Sequence, residues 1–186
     1  MVIQVREKTI EEIEKRLAKE KTDLNKINYL ESGLKQNFTF EIKRFIWGKL
    51  VELYEARGML EKAGFAMANK AGTEISFREK IESYLKAAEL YAKCGKIENA
   101  EEMFVRALRN ANLEQKQRIK LARKNIFFAS AKEMEKKGKK AATLKFYEKL
   151  IQMDLNEIEK KEVKSKLIEI YKKLGRFSDA KLVEKL

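Results

Sequence analysis

Proline and histidine are both absent from this 186-residue sequence, cysteine occurs once, and glycine only eight times. Each absence excludes something. Without proline, no residue removes a backbone donor or forces a kink, so a helix once started is left to end at glycine or at a polar cap. Without histidine, the commonest general base and metal ligand is missing. Aspartate occurs only at Asp23, Asp154 and Asp179, too sparse for a magnesium site, and one cysteine makes neither an intrachain disulfide nor a zinc site. No glycine cluster resembles a phosphate loop or a dinucleotide turn. No run approaches the roughly 18 apolar residues of a membrane-crossing helix. The N-terminus turns charged at Arg6 with no secretory hydrophobic region before it. The expectation is a cytoplasmic, non-catalytic protein with no cofactor, no metal and no membrane contact.

What is present is helix-forming. Hydrophobic residues make up 44% and charged residues 38%, enough apolar surface for a core, in a chain rich in Lys, Glu, Leu and Ala. The fold class read from this is all-α. Cys94, within Tyr91-Ala-Lys-Cys-Gly, reads as a small residue near a helix end; a reactive thiol is the other reading, with no histidine to activate it. Adjacent acidic pairs such as Glu11-Glu12 and Glu101-Glu102 point apart on a helix and read as solvated charge.

The net charge of +13 is uneven. Residues 1–38, 39–75 and 76–112 each carry +1, residues 113–156 carry +7, and residues 157–186 carry +3. An acidic partner would therefore meet the C-terminal part.

Four glycines, Gly58, Gly95, Gly138 and Gly175, are spaced by 37, 43 and 37 residues, each between two amphipathic runs. Four residues before them stand Tyr54, Tyr91, Met134 and Tyr171; five residues after, Ala63, Ala100, Thr143 and Ala180. Glycine can enter the left-handed conformation that ends a helix and reverses the chain. The large residue of the last turn then packs on the returning helix, and the small residue lets the two axes approach. Each unit is a helical hairpin with one apolar face left for its neighbour to cover.

These units resemble tetratricopeptide repeats. The first carries Trp47, Leu50, Tyr54, Gly58, Ala63 and Met67 at that pattern's sites, and the second Tyr84, Ala87, Ala88, Tyr91, Gly95, Ala100, Phe104 and Ala107. The third carries Phe127, Ala131, Met134, Gly138, Thr143 and Tyr147, and the fourth Leu167, Tyr171, Gly175 and Ala180. The spacings exceed the usual 34 residues, Val51 stands at a small-residue site, and the closing proline is missing, as in the broader group that includes soluble NSF attachment proteins. The resemblance implies a right-handed superhelical stack of antiparallel hairpins, about ten helices, with units at 39–75, 76–112, 113–156 and 157–186. At that pattern's first aromatic site, Trp47 is expected in the core.

Residues 1–38 read as a further helical hairpin, a cap for the open end or a dimerisation arm. Thr9 with Glu12 forms a capping box ahead of Ile10, Ile13 and Leu17, and Thr22 precedes Leu24, Ile27, Leu30 and Leu34 on one face. Val2-Ile-Gln-Val forms an extended or disordered lead-in.

By the same resemblance, the first helices line a concave groove that binds another protein or a peptide. Its residues here include Phe45, Gly48, Glu52, Glu55 and Ala56; Glu82, Leu85, Glu89, Ala92 and Lys93; and Asn125, Phe128, Lys132, Glu135 and Lys136. The family's carboxylate clamp is not expected, because Gly48, Glu52, Leu85 and Glu89 occupy its places. A second candidate surface is the segment 116–145, with eleven Lys/Arg against two Glu: Arg118, Arg123, Lys124, Lys136, Lys137, Lys139 and Lys140 belong to it. It would meet nucleic acid or an acidic protein surface. The alternative is a solvated lysine face. The final hairpin, stopping at Leu186, leaves self-association into a homodimer open.

Overall fold

A computed structural model describes residues 5–185; most of the lead-in at Val2–Val5, and Leu186, lie outside the described residues. Among those residues the protein is all-α, with ten helices and no strand. They are α1 (Ile10–Lys19), α2 (Asp23–Gly33), α3 (Phe40–Ala56), α4 (Leu60–Thr73), α5 (Phe77–Lys93), α6 (Ile97–Arg109), α7 (Leu113–Lys136), α8 (Lys140–Leu150), α9 (Glu157–Lys173) and α10 (Phe177–Glu184). No helix among them is long and apolar enough to cross a membrane.

The helices begin in two ways. Thr9, Thr22, Thr39, Ser76, Asn112 and Asn156 cap α1, α2, α3, α5, α7 and α9, each side chain accepting from the backbone N–H three residues on. Such a cap contributes about 1 kcal/mol. At α7 and α9 the box is reciprocal, with Gln115 and Glu159 accepting the cap residue's own N–H. The box expected at Thr9 is only half formed. Thr9 caps Glu12, but the Glu12 carboxylate reaches past Thr9 and accepts the N–H of Lys8 at 2.8 Å.

Helices α4, α6, α8 and α10 have no side-chain cap, because each starts straight out of a glycine turn. Gly58, Gly95, Gly138 and Gly175 have φ of 68, 82, 66 and 72°, and no other described residue has positive φ. In every turn the residue after the glycine donates to the carbonyl five positions back: Met59 to Tyr54, Lys96 to Tyr91, Lys139 to Met134 and Arg176 to Tyr171, at 2.8–3.0 Å. The glycine N–H donates to the carbonyl three back at 2.9–3.1 Å. This is one Schellman closure built four times, satisfying carbonyls that a helix end leaves bare.

The closures produce antiparallel hairpins. Lys62, early in α4, lies over the Tyr54 ring late in α3, while Gly48 in mid-α3 faces Lys70 late in α4. Packing is closest along α3, α4, α5 and α6. There α4 presents Ala63, Gly64, Ala66, Ala68 and Ala71, and α5 answers with Ala87, Ala88 and Ala92, all buried. Small side chains on both sides let the axes approach. A Cβ on Gly64 would stand 3.1 Å from the Tyr91 ring.

The core forms two clusters of buried side chains, one running from Val5 to Ala66 with Leu90 and one from Ala68 to Val183, with Met67 packed against both. Phe127 lies edge-on to Phe104 at 5.7 Å and Phe146 at 5.3 Å, joining α6, α7 and α8. Trp47, expected in the core, is half-buried: it packs against the first cluster, edge-on to Phe65, 6.0 Å away and 58% exposed. Leu24, in the first turn of α2, is 54% exposed, and Tyr29 takes a buried place in that helix. The 43-residue spacing has a plain source: α7 is 24 residues long against 17 for α3, α5 and α9.

Two glycine substitutions should act in opposite directions. A Cβ at Gly138 meets nothing within 4 Å, so Gly138→Ala carries only the left-handed strain and should lower stability by about 1 kcal/mol. Gly72→Ala, equally unhindered inside α4, should raise it by roughly 0.5–1 kcal/mol. Urea unfolding midpoints measure both. Burial, then the hydrogen bond to Glu148, pushes the Tyr171 hydroxyl up to about 12. An unfolded tyrosine titrates near 10, so the folded chain holds this proton more tightly, and stability should fall as pH rises from about 10 to 12. Tyr171→Phe should remove part of that alkaline slope in a pH series of thermal melts.

Candidate functional site

The faces of α3 and α5 carry two adjoining clefts. Phe45, Gly48 and Glu52 of α3 line one of about 340 Å³, with Arg44, Lys49 and Lys70. The second, about 390 Å³, is lined by Glu82, Ser83 and Lys86 of α5 and by Glu74. Arg44 and Lys70 belong to both and form the wall between them. Gly48 keeps the first cleft open, since a Cβ there would meet only the Lys70 Cε, at 3.8 Å.

The shared wall is built on a buried carboxylate. The Glu74 side chain is 4% exposed, with the Lys70 ammonium at 2.5 Å and the Arg44 Nε at 3.6 Å. Lys70 pairs with Glu74 within the end of α4, and Arg44 ties that end to α3. The Arg44 Nε is buried without a hydrogen-bond partner.

Charges alternate along this face. Lys49 pairs with Glu52 at 3.2 Å and lies over the Phe45 ring. Lys86 bridges Glu55 at 3.1 Å and Glu89 at 3.7 Å, and Glu89 meets Lys93 at 2.5 Å. Burial pushes the Glu89 carboxyl up, but Lys93 and Lys86 outweigh it and bring the group below its ordinary value. The hydrogen bond that it donates to Glu89 holds the Lys93 ammonium above its own.

The other expected groove residues lie elsewhere. Leu85 is half-buried against the core, and Glu89 sits in the ion-pair ladder rather than in either cleft. Lys132 covers the Phe128 ring and pairs with Glu162 at 3.1 Å, which ties both residues into the seam between α7 and α9.

The basic segment is divided by the fold. The Arg123 guanidinium reaches Glu101 of α6 at 2.5 Å and overlies Phe127, and Lys124 reaches Glu159 of α9 at 2.8 Å. Both cations tie α7 to its neighbours. Arg118 is exposed on the early turns of α7, 18 residues before Lys136, or about 27 Å along the axis. Lys136, Lys137, Lys139 and Lys140 stand together, exposed, around Gly138. Lys137 pairs with Glu133. Among the described residues no salt bridge engages Lys136, Lys139 or Lys140.

Sequence reasoning missed Arg44, Lys70, Glu74 and Lys86. Glu74 sits in a linker that looks like any polar connection, and only the crossing of three helices buries it. No group of three His, Cys, Asp or Glu side chains able to hold a metal is found among the described residues. No protein-family profile matches the chain, and no curated protein matches it.

The cations should separate experimentally into structural and free. Arg123→Gln should lower stability by about 1–2 kcal/mol, since it leaves the partly buried Glu101 with only the distant Lys149 and uncovers Phe127. Lys140→Gln should change it by less than about 0.5 kcal/mol. Urea unfolding of the two variants checks both.

Proposed function

We propose that this chain is a tetratricopeptide-like helical-repeat module that binds another protein rather than transforming a substrate. In this reading the hairpins form a right-handed stack in one continuous domain, working in the cytoplasm, and the first helices face a bound segment. The observation that carries it is the pair of adjoining clefts on α3 and α5. They gather a half-buried aromatic, Phe45, a floor left open by Gly48, and interspersed charges at Glu52, Arg44, Lys70, Glu82 and Lys86. An extended peptide or helix of mixed charge matches such a surface, with apolar anchorage on Phe45 and charge register on either side. The absence of histidine leaves the usual proton-transfer chemistry without its commonest agent.

Gly48→Arg tests the reading. The site accepts a Cβ, so the variant should fold while its side chain fills the first cleft. In a nuclease-treated lysate, proteins captured by the wild-type chain and quantified by mass spectrometry should drop about tenfold with Gly48→Arg, the loss of roughly 1.4 kcal/mol of binding. Identical capture by the two chains removes the clefts from consideration.

A further inference from the structure

Within two residues of the four turn glycines the chain places nine cations and no acid: Arg57; Lys93 and Lys96; Lys136, Lys137, Lys139 and Lys140; Lys173 and Arg176. At the other ends of the helices, the linkers 110–114 and 154–158 carry Glu114, Asp154 and Glu157 and no cation. The turns of neighbouring hairpins meet. Lys96 pairs with Glu61, three residues past Gly58, at 2.9 Å. A Cβ on Gly95 would stand 3.7 Å from Ala142 and 3.9 Å from Met134, on either side of Gly138. The fourth turn joins further along α8, where Arg176 approaches Glu148 at 3.8 Å.

The charge is not neutralised evenly. Lys93, Lys96, Lys137, Lys173 and Arg176 have carboxylate partners within 4.0 Å. Arg57, Lys136, Lys139 and Lys140 have none among the described residues. Helices α4, α6 and α10 set Glu61, Glu98 and Asp179 in their first turns, and α8 sets no acid there. The excess is therefore greatest at the turn between α7 and α8, flanked by the lysines of the turn before it.

We propose that this edge, centred on Lys136, Lys139 and Lys140, binds the phosphodiester backbone of nucleic acid. Cations shared between neighbouring turns match charges strung along a chain better than a single compact phosphate. Ammonium groups act on phosphates as point charges, and no aromatic side chain lies within residues 135–141 to stack on bases. Binding is thus salt-dependent and indifferent to sequence. This surface is distinct from the clefts on α3 and α5, and its test does not depend on them.

The test uses the full chain and fluorescein-labelled single-stranded RNA 20-mers of two unrelated sequences, followed by anisotropy across a salt series. One variant carries Lys136→Glu, Lys139→Glu and Lys140→Glu. A control carries Lys160→Glu, Lys161→Glu and Lys164→Glu on α9, an equal change in net charge, and circular dichroism checks that both retain their helices. The wild type should bind both sequences alike at low salt. The turn variant should lose about tenfold or more in affinity, and its log–log salt slope should shrink by about 2, as expected for three lost single-strand phosphate contacts. The control should lose less than about threefold. Absence of binding at low salt, equal loss in the two variants, or a preference for poly-glutamate or phosphatidylserine vesicles over RNA would each overturn the proposal.

Discussion

A helix can reverse into a tight antiparallel partner only if some residue leaves the right-handed region and the last carbonyls still find donors. In this chain that requirement is met by one device, a left-handed glycine whose own N–H and whose successor's N–H fold back onto the preceding turn. The rest depends on it. The closure sets Tyr54, Tyr91, Met134 and Tyr171 on the last turn of each first helix, with their side chains buried. It starts each second helix without a capping side chain and brings Ala63, Ala100, Thr143 and Ala180 into the crossing. Any residue with a Cβ would strain it.

The hairpins are then joined by ties that recur at equivalent places. Glu55 meets Lys86 across α3 and α5, and Glu135 meets Lys166 across α7 and α9; in both, the acid stands three residues before one glycine and the lysine nine before the next. The Tyr54 hydroxyl donates to Glu31 and the Tyr171 hydroxyl to Glu148, each 23 residues back. Between the second and third hairpins the ion-pair positions are Ala92 and Ala129, and the joint relies instead on the Phe104, Phe127 and Phe146 cluster and the Arg123–Glu101 pair. A solvent-facing ion pair is worth little by itself, so the ties fix register while buried area supplies the stability.

Charge acquires meaning through this geometry. A +13 chain could spread its cations evenly, but the turns gather lysines at one set of helix ends and the caps gather acids at the other. The clefts on α3 and α5 carry nearly balanced charge and an aromatic wall, which suits a protein segment. The turn beside α8 carries unbalanced charge and no ring, which suits a phosphate backbone. The two surfaces differ in the physics they offer.

The all-α class, the ten helices and the four turns are legible in the sequence, because glycine spacing and helical caps act within a few residues and need no tertiary partner. The buried identities of Tyr54, Phe104, Phe127 and Tyr171 are equally local in origin, set by distance from a glycine. The site was less legible. That Phe45, Gly48 and Glu52 share a cleft follows from one helix face, whereas Arg44, Lys70 and Glu74 become its wall only where three helices cross. In the basic segment the sequence determined how many cations stand close along the chain. Only the tertiary structure decided which of them are free, by turning Arg123 and Lys124 toward Glu101 and Glu159 and leaving Lys136, Lys139 and Lys140 in solvent, since an ion pair between helices depends on packing that no local pattern encodes.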